Sequence, residues 1–433
     1  MNKSLVFVVM ILIFLFFQFN LAYGQKDATI ARTSKMADSL YKAKQYAEAG
    51  KSYSALAEMS DFHYQKASAY YGLACSLGLA RQNEAAFSTL QKAVKAGYAK
   101  KSHILSDPDL ASLHQLPGWT ELVNSVPEAK RVLNADPAQA KFITTDIHHF
   151  WQAYDQALKD TLHFHQIMKR GYFDLASQGM NDYMGLKVSS IDYFVQHIRS
   201  APAFYSSIRA NSLKVDTYKP SFLAACRKLK SIYADAVFPD VYFVIGAFTS
   251  GGTVSDRGLL LGLNQSCVDS TVPLGELSPR LRTRVNPLYT LPNLVAHELI
   301  HYQQDGMKRD TTTLSFVIKE GMADFLAELI SGAAPNPALY AWAKGRERAI
   351  WQKFKKDMYY NRYGNWIANS QQATADNLPD QGYWIGYQIC RSYYQQRADK
   401  KKAIYEMLHI QDYQSFLAES NWEHTLSALS SGP

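Results

Sequence analysis

The chain has 433 residues, 47% hydrophobic and 19% charged, which is long enough for two or three domains and too apolar for a disordered chain. Its formal charge of +8 is spread over scattered lysines and arginines, with short runs only at Lys353, Lys355, Lys356 and at Lys400, Lys401, Lys402. Such runs are ordinarily solvated faces, so no nucleic-acid partner is expected, and an anionic envelope surface is the better electrostatic match.

Residues 1–24 read as a signal peptide. Lys3 supplies the charged start, Leu5 to Phe17 is an unbroken apolar run, and Ala22-Tyr23-Gly24 offers small residues for cleavage. The run falls short of the roughly 20 residues that span a bilayer, so a periplasmic or secreted protein is expected. An uncleaved anchor is the alternative and the one route to membrane contact. No cysteine stands at the cleavage site, so lipidation is not expected there. Cys75, Cys226, Cys267 and Cys390 are too widely spaced for a metal knuckle or a disulfide framework. Export permits a Cys226–Cys267 bridge, but buried free thiols are the expected state.

Residues 25–125 read as helical hairpins. Ala37, Leu40, Tyr41, Ala49 and Tyr53 are followed by Tyr70, Leu73, Ala74, Leu77, Ala86, Leu90 and Ala93. Small residues alternating with large ones at helical spacing resemble tetratricopeptide repeats, in which the small residue lets two helices approach. Two repeats rarely bury a core alone, so the array should pack on the chain downstream of it, with Gly97 to Trp119 as its cap. It reads either as a groove for a protein partner or as a brace.

A polar linker spans 124–137, and residues 126–433 form the second expected domain. Phe142 to Tyr233 has long helical periodicity. His148, His149, His163 and His165 lie here without an ordered ligand set, so they read as core or face histidines. Asp240 to Phe248 is rich in β-branched and aromatic residues and predicts a strand. Thr249-Ser250-Gly251-Gly252-Thr253 breaks it, and Gly258 to Leu263 predicts another. The fold class is therefore mostly α with a small β-sheet. The 28 tyrosines suit an aromatic-rich core, with a carbohydrate- or peptide-handling surface as the alternative.

The chemistry concentrates at Val295-Ala296-His297-Glu298-Leu299-Ile300-His301-Tyr302, an H-E-x-x-H run in an apolar, helix-compatible window. Residues four apart share a helix face, so two imidazoles can grip one divalent ion while Glu298 handles a proton. Pro292 suits the first turn, and Gly306 marks a stop. Thr311 to Leu329 predicts a second helix. Glu320 on it is spaced to be the third ligand of a catalytic zinc, whose fourth position stays open. Asp324, one turn on, can take the ring N–H of His297. Further helices are expected after Pro335-Asn336-Pro337, one with Glu347, Trp351 and Phe354 and another from Gly382 to Tyr394.

His297, Glu298, His301, Glu320 and Asp324 together resemble the signature of the gluzincin metallopeptidases. The wider chain, from about 130 to 400, is similar to an uncharacterised bacterial family of predicted zinc-dependent proteases related to a gliding-motility lipoprotein. That likeness rests on Thr144-Thr145-Asp146-Ile147, Phe150-Trp151, Phe238 to Phe243, Gly251-Gly252-Thr253 and Gly382 to Tyr387. The resemblance implies a zincin-like fold, one Zn2+ per chain and a peptide or protein substrate. It implies that Gly251, Gly252 and Thr253 lie in a strand that pairs with substrate. It also implies an oxyanion donor from a later helix, for which Tyr383 and Tyr387 are candidates and His409 a weaker one. The G-x-M-E-N motif of aminopeptidase N is missing, which favours endopeptidase action. Glu298 would take the proton of a metal-activated water and hand it to the leaving nitrogen. A non-catalytic, metal-stabilised envelope scaffold is the competing reading. A zinc hydrolase acting on envelope glycan or peptide cross-links is a third.

Overall fold

The computed structural model describes residues 26, 28–127, 131, 133–333, 336–372, 374 and 377–429. The expected signal peptide lies outside the described residues. The chain divides into two compact units. One comprises Met1–Arg131, Thr145–Tyr205 and Val244–Ser250, and the other Val132–Thr144, Ser206–Phe243 and Gly251–Pro433. The unit holding the repeats thus takes in residues 145–205, beyond the residue-125 boundary drawn from the sequence.

In the first unit, a helix across residues 28–42 (α1) is followed by Tyr46–Met59 (α2), His63–Leu79 (α3) and Asn83–Lys95 (α4). The expected small residues sit at the helix contacts: Ala37, Ala49, Ala74, Ala86 and Ala93 are all fully buried. Gly72 has the same role, because a methyl group there would lie 2.9 Å from the ring of Tyr53. The cap forms as expected. Ile104, Leu110, Leu113 and Trp119 close one core with Leu90 and Tyr71. Further helices of this unit include Thr145–Lys159 (α5), Gln178–Lys187 (α6) and Ile191–Ser200 (α7). Gln65 on α3 donates to the carbonyls of Gly185 and Val188, which ties α6 to the array.

The segment 245–250 also belongs to this unit and is not strand, although Asp240 to Phe248 predicted one. Tyrosine hydroxyls take its backbone partners. Tyr172 bonds both the N–H and the carbonyl of Ile245, Tyr205 donates to Gly246, and Tyr183 donates to Ser250. Part of the tyrosine richness is therefore structural.

The second unit carries a four-stranded sheet in the order β1-β2-β4-β3: Phe142–Ile143 (β1), Asp240–Val244 (β2), Gly252–Ser255 (β3) and Gly258–Gly262 (β4). β1 runs parallel to β2, with Phe142 opposite Val241. β3 and β4 form a hairpin, with Gly252 opposite Leu261 and Ser255 opposite Gly258. The tight turn is at Asp256-Arg257, and Gly252 begins the strand at the sheet's edge, with Gly251 just before it.

Five of this unit's helices organise the site: Lys219–Ile232 (α8), Leu291–Gln303 (α9), Thr313–Ser331 (α10), Gln381–Gln396 (α11) and Lys400–Leu408 (α12). α9 carries Pro292 in its first turn as expected and is buried on almost every side, its polar Asn293, His297, Glu298 and Gln303 included. It packs against α10 and beneath β3 and β4. α10 starts at Thr312, whose side chain accepts from the Ser315 N–H, and stops at Gly332 in the left-handed conformation. α10 and α11 cross backbone to backbone. A methyl group on Gly386 would lie 1.8 Å from the Val317 carbonyl oxygen, and one on Gly321 would lie 2.0 Å from the Tyr387 nitrogen. Glycine is required at both places for these helices to touch. All four cysteines are buried and free. Among the described residues no helix is long and apolar enough to cross a membrane.

Candidate metal centre

His297 and His301 project from α9 one turn apart, and Glu320 approaches from α10. The two Nε2 atoms are 2.9 Å apart, and Glu320 Oε2 lies 3.2 Å from that of His301 and 3.6 Å from that of His297. Four-coordinate zinc with ligands at about 2.0–2.1 Å separates its donors by about 3.3 Å. The three observed separations straddle that value, so two imidazoles and one carboxylate fit a single zinc-sized ion.

The other ring nitrogens are accounted for. His297 Nδ1 donates to Asp324 Oδ1 at 2.8 Å. His301 Nδ1 donates to Gln304 Oε1 at 2.8 Å, and Gln304 Nε2 donates to the Lys319 carbonyl, which fixes the amide's orientation. Both rings are thereby held with Nε2 facing Glu320, the arrangement a metal ligand needs. Gln304 was not anticipated from the sequence, although it lies one turn beyond His301 on the same face. Burial alone would depress the imidazole pKa values. Asp324 and Glu320 outweigh it at His297, raising it well above its ordinary value, and Glu320 raises His301. Glu320 itself, though buried, is held far below the usual carboxylate range by the two histidines. The site is thus a charged cluster in which a dication can replace protons.

Glu298 shares this enclosure. Its side chain is only 7% exposed, and its charge acts on both histidines. β3 passes directly over it, since a methyl group on Gly252 would lie 2.2 Å from Glu298 Oε1. Gly251 stands clear of Glu298, beside the Gln265 side chain, and Thr253 follows in the half-buried edge strand.

Tyr383, in the first turn of α11, joins the cluster. Its ring centre is 6.1 Å from that of His297, and the Glu320 charge acts on its hydroxyl. Burial and the Glu320 charge raise its pKa well above the ordinary value, so it stays protonated and can donate. Tyr387 lies one turn further, with its hydroxyl on Glu328 at 2.5 Å and its ring edge-on to Phe325 and Tyr340. His409 stacks on Tyr405 and bonds its carbonyl, apart from the cluster. His163 and His165 pair with Asp160 and Asp192 in the first unit.

The family described as gliding motility protein GldB matches residues 132–424, about two thirds of the chain and the whole of this cluster. Neither a curated protein nor a solved structure matches.

Proposed function

The chain belongs to the family of the gliding motility protein GldB, a lipoprotein family of the bacterial envelope, and from that premise we propose that it is an exported zinc-dependent peptidase. One observation carries the proposal: Nε2 of His297, Nε2 of His301 and Oε2 of Glu320 converge within 3.6 Å, with Glu298 enclosed beside them. These three residues would hold Zn2+, one per chain, which when bound supplies Lewis acidity and a water acidified to a pKa of about 7. Glu298 accepts a proton from the attacking water and returns it to the leaving amide nitrogen. Tyr383 donates a hydrogen bond to the carbonyl oxygen as charge develops on it. Asp324 and Gln304 hold the imidazole rings in register. The edge of β3 offers backbone groups to an extended peptide, which favours endopeptidase action on a peptide or protein substrate. Residues 1–24 would direct export, and the helical repeats would dock a protein partner.

The test is zinc content together with chelator-sensitive digestion of a peptide library by the parent and by Glu298→Gln. Near-stoichiometric zinc in both, with cleavage only by the parent, is expected. Cleavage by Glu298→Gln would sink the assignment of the base. The family's association with motility favours a second reading, a metal-stabilised scaffold; tight partner binding with no turnover of any peptide would support it.

A further inference from the structure

The metal cluster is not equally enclosed along its length. α9 and α10 run antiparallel here: His301 meets Glu320, and His297, one turn earlier, meets Asp324, one turn later. The His301 and Glu320 side chains are 18% and 25% exposed, against 10% and 8% for His297 and Asp324. The cluster therefore opens toward the N-terminal end of α10. Phe316 lies at that end, four residues before Glu320 and on the same face, where Cβ atoms are about 5–6 Å apart. A helical side chain leans toward its own N-terminus, so Glu320 leans over the turn that carries Phe316. The half-buried ring of Phe316 packs on Tyr363 with ring centres 4.4 Å apart, and Tyr363 is still 42% exposed.

Tyr363 belongs to a segment, residues 357–367, that displays three large aromatic rings within five positions; Tyr359 and Tyr360 are 47% and 59% exposed. These rings stand on a fixed backbone. The Tyr360 carbonyl accepts the Thr313 N–H at 2.8 Å and the Thr313 hydroxyl at 2.7 Å, and Thr313 Oγ1 accepts the Arg362 N–H at 2.9 Å. The Met358 carbonyl accepts the Leu314 N–H, so the segment satisfies amides in the first turn of α10. The Asp357 carboxylate gathers Arg362, Asn365 and the Trp366 indole at 3.0 Å each. The Trp366 carbonyl accepts the Gly382 N–H at 2.9 Å, which fastens the segment to α11 next to Tyr383. Aromatic rings held in water on a rigid segment, beside the open end of a reactive centre, are pre-organised for contact, because a tyrosine loses little freedom when it is covered.

Building on the peptidase reading, we propose that Tyr363, backed by Phe316, is a specificity platform that takes a large apolar or aromatic side chain of the substrate. The substrate is then a peptide bearing such a residue within about two positions of the scissile bond. One helical turn is about 5.4 Å and an extended peptide advances about 3.3 Å per residue, which sets that reach. The occupant follows from what the platform offers. The Arg362 guanidinium is already engaged by Asp357 and lies over the Tyr360 ring at 4.7 Å, so this surface presents ring faces and edges rather than a charge.

Binding can be read without turnover. Zinc-loaded Glu298→Gln protein is titrated with labelled, otherwise identical peptides carrying phenylalanine, leucine or alanine at one position, which is moved in turn along the peptide. A preference of about tenfold or more for phenylalanine over alanine at one position is expected, the size of an aromatic pair together with the apolar area it covers. Tyr363→Phe keeps the ring and should keep the preference. Tyr363→Ala removes the ring and should reduce the preference to within about twofold, with zinc retained as the sign of an intact fold. A preference that survives Tyr363→Ala, that is lost in Tyr363→Phe, or that is missing from the parent overturns the platform. Tyr363-dependent displacement of the peptide by a chitin oligosaccharide would assign the rings to a glycan and overturn the peptide side chain as their occupant. The same peptides given to protein with Glu298 intact test the underlying reading. Non-selective, chelator-sensitive cleavage keeps the peptidase and discards the platform. A Tyr363-dependent binding preference without any cleavage keeps the platform and discards the peptidase.

Discussion

Gly252→Ala is a perturbation whose consequence can be worked from the structure. The added methyl carbon would lie 2.2 Å from Glu298 Oε1, 2.6 Å from its Cδ and 2.7 Å from its Cγ. Non-bonded carbon atoms sit at about 3.5–4.0 Å, so either the carboxylate or the strand must move by about 1 Å. β3 is paired to β4 from Gly252 to Ser255, so the carboxylate is the part that yields. Overpacking of this kind costs about 1–3 kcal/mol of stability. Misplacing a reacting group by about 1 Å costs about 100-fold in rate. The three atoms nearest the added methyl all belong to Glu298, so zinc content should be unchanged. The assay pairs zinc analysis with kcat/KM on a peptide identified by library digestion. A Gly252→Ala variant that holds zinc and cleaves within about threefold of the parent would refute the placement of Glu298 under the edge strand as the base.

Gln304→Ala should weaken zinc binding about 10- to 100-fold by freeing the His301 ring, as measured by competition with a chromogenic chelator; unchanged affinity would remove Gln304 from the site. Gly386→Ala sets a methyl group against the backbone oxygen of Val317, which cannot rotate away, so a loss of about 3 kcal/mol or more in thermal or urea unfolding is expected. A loss below about 0.5 kcal/mol would mean that the α10–α11 crossing is looser than described. The raised imidazole pKa values predict opposite pH trends with and without metal. Groups whose folded pKa is raised stabilise the metal-free fold below their unfolded value of about 6.5, and that stabilisation is lost as pH rises through the folded values. The melting temperature of chelated protein should therefore fall from pH 6.5 upward, while that of zinc-loaded protein rises because zinc takes the neutral rings. A flat metal-free profile over that range would contradict the clustered charges.

The convergence of His297, His301, Glu320 and Asp324 was legible because it depends on helical spacing. Four residues make one turn, so i and i+4 positions on α9 and on α10 meet their partners if the two helices pack face to face. The helical N-terminal region was legible for a related reason: small residues such as Ala49, Ala74, Ala86 and Ala93 fall at buried helix positions. Gln304 obeys the same spacing and could have been found by asking which polar residue lies one turn beyond His301. Tyr383 and Tyr387 were indistinguishable in the sequence. Both lie on α11, and only the roll of that helix against α10 sets one ring beside His297 and sends the other's hydroxyl to Glu328.

What stayed illegible depends on backbone conformation and on helix crossing. Gly321 and Gly386 stood in the motifs as unexplained letters. Their meaning is a pair of helices in backbone contact, a relation between residues 65 positions apart that no local pattern encodes. The strand expected over Asp240 to Phe248 ended at Val244 because side-chain hydroxyls from distant tyrosines claim the next amide groups, and propensity cannot anticipate that competition. Asp380 is the extreme case. Read locally it is an ordinary helix cap, and its singularity appears only when φ +62° has turned the carboxylate away from α11 and buried one oxygen without a partner. Spacing therefore reports which side chains converge, whereas the turn of a loop residue away from its helix is set by backbone conformation.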